Sequence, residues 1–154
     1  MIILSDIDGV ICDPRAYIKM FLLKGKKDWD RYFQNTLSFP KIPHMCEMMR
    51  GLAKQNRMFY GTGRPESNRD LTAAWLSDVL LEDIQPYQLR MRKDEDRDRR
   101  PALIKVEIAN TIFPDIIFED EPESVLALRA EGYFVIQVHG YRLLNETPSD
   151  MIPK

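Results

Sequence analysis

The sequence predicts an α/β fold, a Rossmann-like parallel sheet with helices on both faces and a small cap insertion after the first strand. Three observations carry that reading. Apolar β-forming segments alternate with stretches of helical periodicity, prolines stand just ahead of several helices, and acids, glycines and a threonine collect where strands end. At 154 residues the chain is one domain, long enough to bury a substantial core without disulfides or a structural metal.

The first strand begins with Ile2-Ile3-Leu4, and Gly9 lets the chain turn away just after Asp6 and Asp8. Residues 14–39 form the cap insertion, with helical stretches near 15–23 and 28–37 separated by Gly25. Pro40 and Pro43 precede a helix from about His44 to Gln55, where Met45, Met48, Met49 and Leu52 share one apolar face. A strand at 57–61 leads through Pro65 to a helix from Glu66 to Leu80, with Leu71, Trp75 and Leu76 inward, and then to a strand near 84–91. A charged loop at 92–100 opens onto a helix from Pro101 to Ile112, proline being suited to the first helical position. Strand 115–118, helix 122–131 and strand 133–138 complete the alternation, and residues 147–154 form a loose tail.

A net charge of -2 predicts no general attraction to nucleic acid or membrane, so any such attraction must be local. No apolar stretch approaches membrane-spanning length, and a strand starting at residue 2 leaves no room for a signal peptide. Cys12 and Cys46 cannot build a disulfide framework and are expected as reduced, semi-buried thiols in a cytoplasmic protein, with Cys12 serving packing. His44 and His139 stand alone, without a nucleophile or ligand partner at motif spacing. The sequence assigns no oligomeric state.

Four clusters fall at strand ends. Asp6 and Asp8 flank Ile7 on a glycine turn, which suits either a nucleophile with its acid/base partner or a plain turn that closes a strand. Thr62, Gly63 and Arg64 precede a predicted helix start, where backbone N–H groups, a hydroxyl and the helix dipole make a phosphate cradle, or simply a strand-to-helix turn. Lys105 lies four residues into its helix, and by itself reads as a surface lysine. Glu119 and Asp120 end the fourth strand; acids are favoured at a helix start in any case, but a third set of carboxylates at the same sheet edge also makes an oxygen-rich site suited to Mg²⁺.

In this order the clusters resemble those of the haloacid dehalogenase superfamily, and the likeness covers roughly residues 1–140. The resemblance implies Mg²⁺ and an aspartyl-phosphate intermediate. Asp6 would be the nucleophile, Asp8 the general acid/base that also offers its backbone carbonyl to the metal, Thr62 with Gly63 and Arg64 the phosphate ligands, Lys105 the cation holding nucleophile and phosphate, and Asp120, with Glu119, further metal ligands. An acid two positions after the nucleophile is what phosphatase and mutase members carry. Within the superfamily the chain is most similar to the 3′-phosphatase domain of phage-type polynucleotide kinases, through Thr62-Gly63-Arg64-Pro65-Glu66, Thr72, Trp75-Leu76, Met91-Arg92, Asp96, Arg97, Arg99, Lys105 and Glu119-Asp120. No Gly-x-x-x-x-Gly-Lys-Ser/Thr loop is present, so the kinase half is missing.

The resemblance makes the expected substrate a phosphomonoester, and specifically a DNA or RNA 3′-phosphate end. Between residues 90 and 105 seven cations meet four acids, so Arg92, Arg97, Arg99 and Arg100 are candidate contacts to neighbouring phosphates, or members of a self-neutralising loop. Lys24, Lys26, Lys27, Trp29, Tyr32 and Phe33 in the insertion would either stack a base or form the inner face of a cap helix. Two alternatives stay open: a nucleotidase or other small-metabolite phosphatase, and a phosphate-binding module without turnover.

Overall fold

The computed structural model describes residues 1–23, 25 and 27–138, so His139, the tail at 147–154, Lys24 and Lys26 lie outside the described residues. The elements are β1 (Ile2–Ser5), α1 (Arg15–Phe21), α2 (Trp29–Gln34), α3 (Pro43–Ala53), β2 (Arg57–Pro65), α4 (Arg69–Leu80), β3 (Leu89–Arg92), α5 (Pro101–Ile112), β4 (Ile116–Glu119), α6 (Pro122–Ala130) and β5 (Val135–Gln137). The five strands lie in the order β3-β2-β1-β4-β5, and every neighbouring pair is parallel.

That order has a physical consequence for the site. The chain builds outward from β1 through β2 and β3, then returns to the other side of β1 for β4 and β5. Right-handed crossovers run in opposite directions must lay their helices on opposite faces. One core accordingly joins Ile3 and Tyr60 to Met45, Met49, Trp75 and Leu76 of α3 and α4, and the other joins Leu4 and Phe59 to Ile108 of α5 and Leu128 of α6. Successive residues of β1 point into different cores, as the period of two requires. Burying each large aliphatic side chain of this kind contributes about 1.5–3 kcal/mol.

Several boundaries differ from the sequence reading. β2 runs on to Pro65, because pairing with β3 resumes at Pro65 and Arg92 after a register shift beyond Thr62. Residues 66–68 then make a 3₁₀ turn, and α4 starts only at Arg69. The strand expected at 84–91 shrinks to Leu89–Arg92, since Pro86 opens a 3₁₀ turn closed by a capping box between Gln85 and Gln88. In α3 Cys46 faces inward and Met48 outward, and in α4 Thr72 takes the buried position expected of Leu71. Both cysteines are fully buried. Among the described residues no helix is long and apolar enough to cross a membrane.

Candidate active site

The registers Ser5 with Tyr60 and Ser5 with Phe118 bring the carboxyl ends of β1, β2 and β4 side by side, at the point where the strand order changes direction. Open α/β sheets bind their ligands there. The Asp6 N–H donates to the Phe118 carbonyl at 2.9 Å, which continues the β1–β4 ladder by one residue. The chain then folds into a tight loop, in which the Ile7 carbonyl accepts from the N–H groups of Val10, Ile11 and Cys12 at 3.3, 2.9 and 2.8 Å. Gly9 has φ +89°, and a Cβ on it would stand 1.9 Å from Asp120 Oδ2. Glycine there permits the turn and lets the Asp120 carboxylate close over the loop.

Lys105 and the acids of β1 and β4 form the centre. Lys105 Nζ lies 2.6 Å from Asp6 Oδ1 and 2.7 Å from Glu119 Oε2, with all three residues buried. The position four residues into α5, which alone reads as surface, therefore points its cation into the site. The second Glu119 oxygen accepts from the N–H groups of Asp120 and Glu121 at 3.1 and 3.2 Å, so both of its oxygens are engaged. Carboxylate oxygens of Asp6, Glu119 and Asp120 all lie within 4.8 Å of one another.

One ammonium thus faces three carboxylates. Burial, then the Glu119 charge, pushes Asp6 well above the usual carboxylate range, against the pull of Lys105. Burial and Glu119 likewise push Asp120 up to about 7. Burial alone would lower Lys105, but Asp6 and Glu119 hold it above the ordinary lysine value. The oxygen set, closed over Gly9, fits a hard divalent cation: among the described residues Asp6 and Asp120 carry carboxylate oxygens not tied up by backbone donors, whereas Glu119 serves Lys105 and its own loop.

Asp8, two residues beyond Asp6, has an entirely different environment. Its carboxylate takes a forked pair of hydrogen bonds from Arg64, Nε to Oδ2 at 2.8 Å and Nη2 to Oδ1 at 2.7 Å. Cys12 is buried in the core of this turn. Burial would raise Asp8, but the Arg64 charge and hydrogen bonds hold it below the usual carboxylate range. Two acids on one turn thus have separate partners, Asp6 the Lys105 ammonium and Asp8 the Arg64 guanidinium.

Arg64 has a different partner from the one expected. It is 2% exposed, and its guanidinium is turned toward Asp8 and Thr72 instead of standing open to an anion. Arg64 lies within the register shift of β2, and because α4 starts at Arg69, no α-helix N-terminus directly follows Gly63. Thr62 is buried, with its hydroxyl accepting from the Arg64 N–H at 3.1 Å. Gly63 has open space where a side chain would be.

The loop arginines divide. Arg99 pairs with Asp96 and Glu107, and Arg100 pairs with Glu123. Arg92 is half-buried, donates to the Arg97 carbonyl at 3.3 Å and leaves its Nε without a hydrogen-bond partner among the described residues. Arg97 and Lys93 are exposed and make no ion pair among the described residues. In the insertion Tyr32 is buried 4.9 Å from Phe39, whereas Trp29 is exposed and stacks on the half-buried Phe33 with centroids 5.9 Å apart. A concavity of about 540 Å³, lined by Met1, Lys54, Arg57 and Asp115 among others, lies at the opposite edge of the sheet.

No family model and no curated protein matches the sequence. Solved structures do match. A chain of the Pnkp1/Rnl/Hen1 RNA repair complex superposes with a TM-score of 0.68 at 18% identity, covering 88% of this chain and 41% of that one. The class C acid phosphatase from Bacillus anthracis with tungstate bound gives 0.61 at 10% identity, covering 90% and 67%, and a haloacid dehalogenase superfamily hydrolase from Geobacter sulfurreducens gives 0.52 at 13%, covering 88% and 85%. The chain spans about two fifths of the length of the RNA repair protein it matches. The resemblance read from the strand-end clusters is borne out in the architecture: this chain has the haloacid dehalogenase-like fold, one that it shares with phosphatases.

Proposed function

We propose that the protein is a Mg²⁺-dependent phosphomonoesterase that works through an aspartyl phosphate on Asp6, and that its substrate is a 3′-phosphate at a nucleic-acid end. The observation that carries the chemistry is the split between the two acids of the β1 turn: Asp6 in contact with buried Lys105, Asp8 held apart by Arg64. In the first step an Asp6 oxygen bonds to phosphorus while the bond to the leaving oxygen breaks, and Asp8, ionised beside Arg64 in the free site and protonated once the phosphate's negative charge lies against it, gives that oxygen its proton. In the second, Asp8 takes a proton from water as the water oxygen attacks phosphorus and frees Asp6. Lys105 offsets the negative charge that would otherwise keep a carboxylate away from a phosphate. Asp6, Asp120 and the Asp8 carbonyl would hold Mg²⁺, which when bound supplies further charge neutralisation at the phosphoryl oxygens.

For the nucleic-acid end the support is the likeness to a chain of an RNA repair complex, the shortness of the insertion, and Lys93 and Arg97, exposed and without an ion pair among the described residues, in the loop that follows β3. The test is phosphate release from 3′-phosphorylated oligonucleotides, mononucleotides and sugar phosphates, with Mg²⁺ and with excess chelator. Preference for the oligonucleotide and loss in chelator are expected. Preference for a mononucleotide would move the nucleotidase reading to first place, and no release from any substrate would leave a binding module.

A further inference from the structure

The Arg64 fork is held from behind as well as in front. Its guanidinium carbon lies 5.2 Å from the Phe39 ring centre and 5.8 Å from that of Trp75, and Nη1 donates to Thr72 Oγ1 at 3.4 Å. Thr72 donates in turn to Asn68 Oδ1 at 2.9 Å, and Thr36 Oγ1 lies 3.0 Å from the same oxygen. Asn68 Nδ2 donates to the Phe33 carbonyl at 3.1 Å, and Trp75 Nε1 to the Phe39 carbonyl at 2.9 Å. Thr36, Asn68, Thr72 and Arg64 are all buried. An unbroken polar chain therefore runs from the end of the insertion to the carboxylate of Asp8.

We infer that Arg64 is a positioning residue for Asp8, and that the insertion is a fixed brace for Arg64 in place of a cap that opens and closes. This rests on the phosphatase reading above. A buried planar fork fixes both oxygens of one carboxylate in one orientation, which a lysine cannot do. The aromatic walls and the Thr72–Asn68–Thr36 chain remove the remaining freedom of the guanidinium. Removing the fork leaves the nucleophile, Lys105 and the metal ligands in place. What is lost is the aim of the proton donor and acceptor.

That loss has a signature. An alkoxide leaving group needs the proton of Asp8 as its bond to phosphorus breaks, whereas 4-nitrophenolate leaves unaided. Arg64→Lys should lower kcat/KM for a nucleoside 3′-phosphate by about 100-fold or more, the range for a displaced general acid, with little change for 4-nitrophenyl phosphate. Because water attack on the aspartyl phosphate also uses Asp8, the variant should release a burst of one equivalent of 4-nitrophenolate before slow turnover. Thr36→Val, which cuts the brace far from the reacting atoms, should give the same selectivity in weaker form and keeps the inference testable if Arg64→Lys does not fold. Equal losses on both substrates without a burst, or a rise in KM alone, would make Arg64 a structural residue or a phosphate ligand and overturn the inference. A wild-type enzyme inactive on both substrates would overturn the phosphatase reading, and this role with it.

Discussion

At the scale of single residues the site is an imbalance of charge, three carboxylates against one ammonium, and the imbalance makes predictions that need no substrate. Lys105→Met would leave Asp6, Glu119 and Asp120 without their cation, and removing one partner of a buried ionic cluster costs about 3–5 kcal/mol. The urea midpoint should fall accordingly, and a fall no larger than that of a surface lysine would mean that the cluster relaxes by taking up protons. Asp120→Asn removes one repelling anion, so the metal-free protein should melt higher than wild type while gaining less from Mg²⁺. For wild type, Mg²⁺ at about 100 times its Kd should add about 2.7 kcal/mol, a shift of several degrees by differential scanning fluorimetry. An increment unchanged in Asp120→Asn would remove Asp120 from the metal site. Asp6→Asn should abolish phosphate release while the protein still melts cooperatively, and appreciable turnover would exclude Asp6 as nucleophile. Asp6, Asp8 and Asp120 were legible because each sits at a strand end, whereas Lys105, which by its helix position alone reads as surface, was legible only through the family resemblance. The partnership of Asp8 with Arg64 was not, since it joins residues 56 positions apart that meet only in the folded chain.

At the scale of elements, the period of the apolar residues placed every helix and strand, but local turn chemistry set their ends. Pro86 with the Gln85–Gln88 box displaced the start of β3, and pairing with Arg92 stretched β2 past its glycines. Two helix ends are conspicuous. α4 and α5 both finish on a residue in left-handed backbone, Leu81 at φ 54° and Phe113 at φ 53°, where glycine is the usual choice. Both side chains are mostly exposed, at 76% and 72%, so they contribute little packing in return. A non-glycine residue in this conformation costs about 1–2 kcal/mol, and the extra chain entropy of glycine returns about 0.5–1 kcal/mol of that. Phe113→Gly and Leu81→Gly should each stabilise the protein by about 0.5–1 kcal/mol, read as a higher urea midpoint with an unchanged slope. Destabilisation by either would show that the side chain's own packing outweighs its backbone strain.

For the whole molecule, a sheet order that reverses at β1 gathers the ends of three strands at one edge, and the charged loop at 92–100 follows β3 beyond that same edge. The parallel sheet and the shared carboxyl edge followed from the alternation of strands and helices, whereas the strand order came from the folded chain. The pairing of the loop's charges did not, because Glu107 and Glu123 belong to α5 and α6 and meet Arg99 and Arg100 only in the folded chain. In a protein of net charge -2, attraction to a nucleic-acid strand has to come from cations that no acid has already claimed. Arg99 and Arg100 are claimed, whereas Lys93 and Arg97 have no ion-pair partner among the described residues. Replacing Lys93 and Arg97 with glutamine should lower kcat/KM for a 3′-phosphorylated oligonucleotide well below that of wild type. The slope of log affinity against log salt should shrink by about one for each phosphate that is no longer neutralised. Action on 4-nitrophenyl phosphate, which has no neighbouring phosphates, should hardly change. Arg99→Gln with Arg100→Gln should leave the salt slope near that of wild type, because those guanidinium groups release few counterions on binding when their own carboxylates already neutralise them. The reverse ranking of the two double variants would mean that the substrate strand breaks the Glu107 and Glu123 pairs on arrival, and an unchanged slope in both would place the strand elsewhere on the surface.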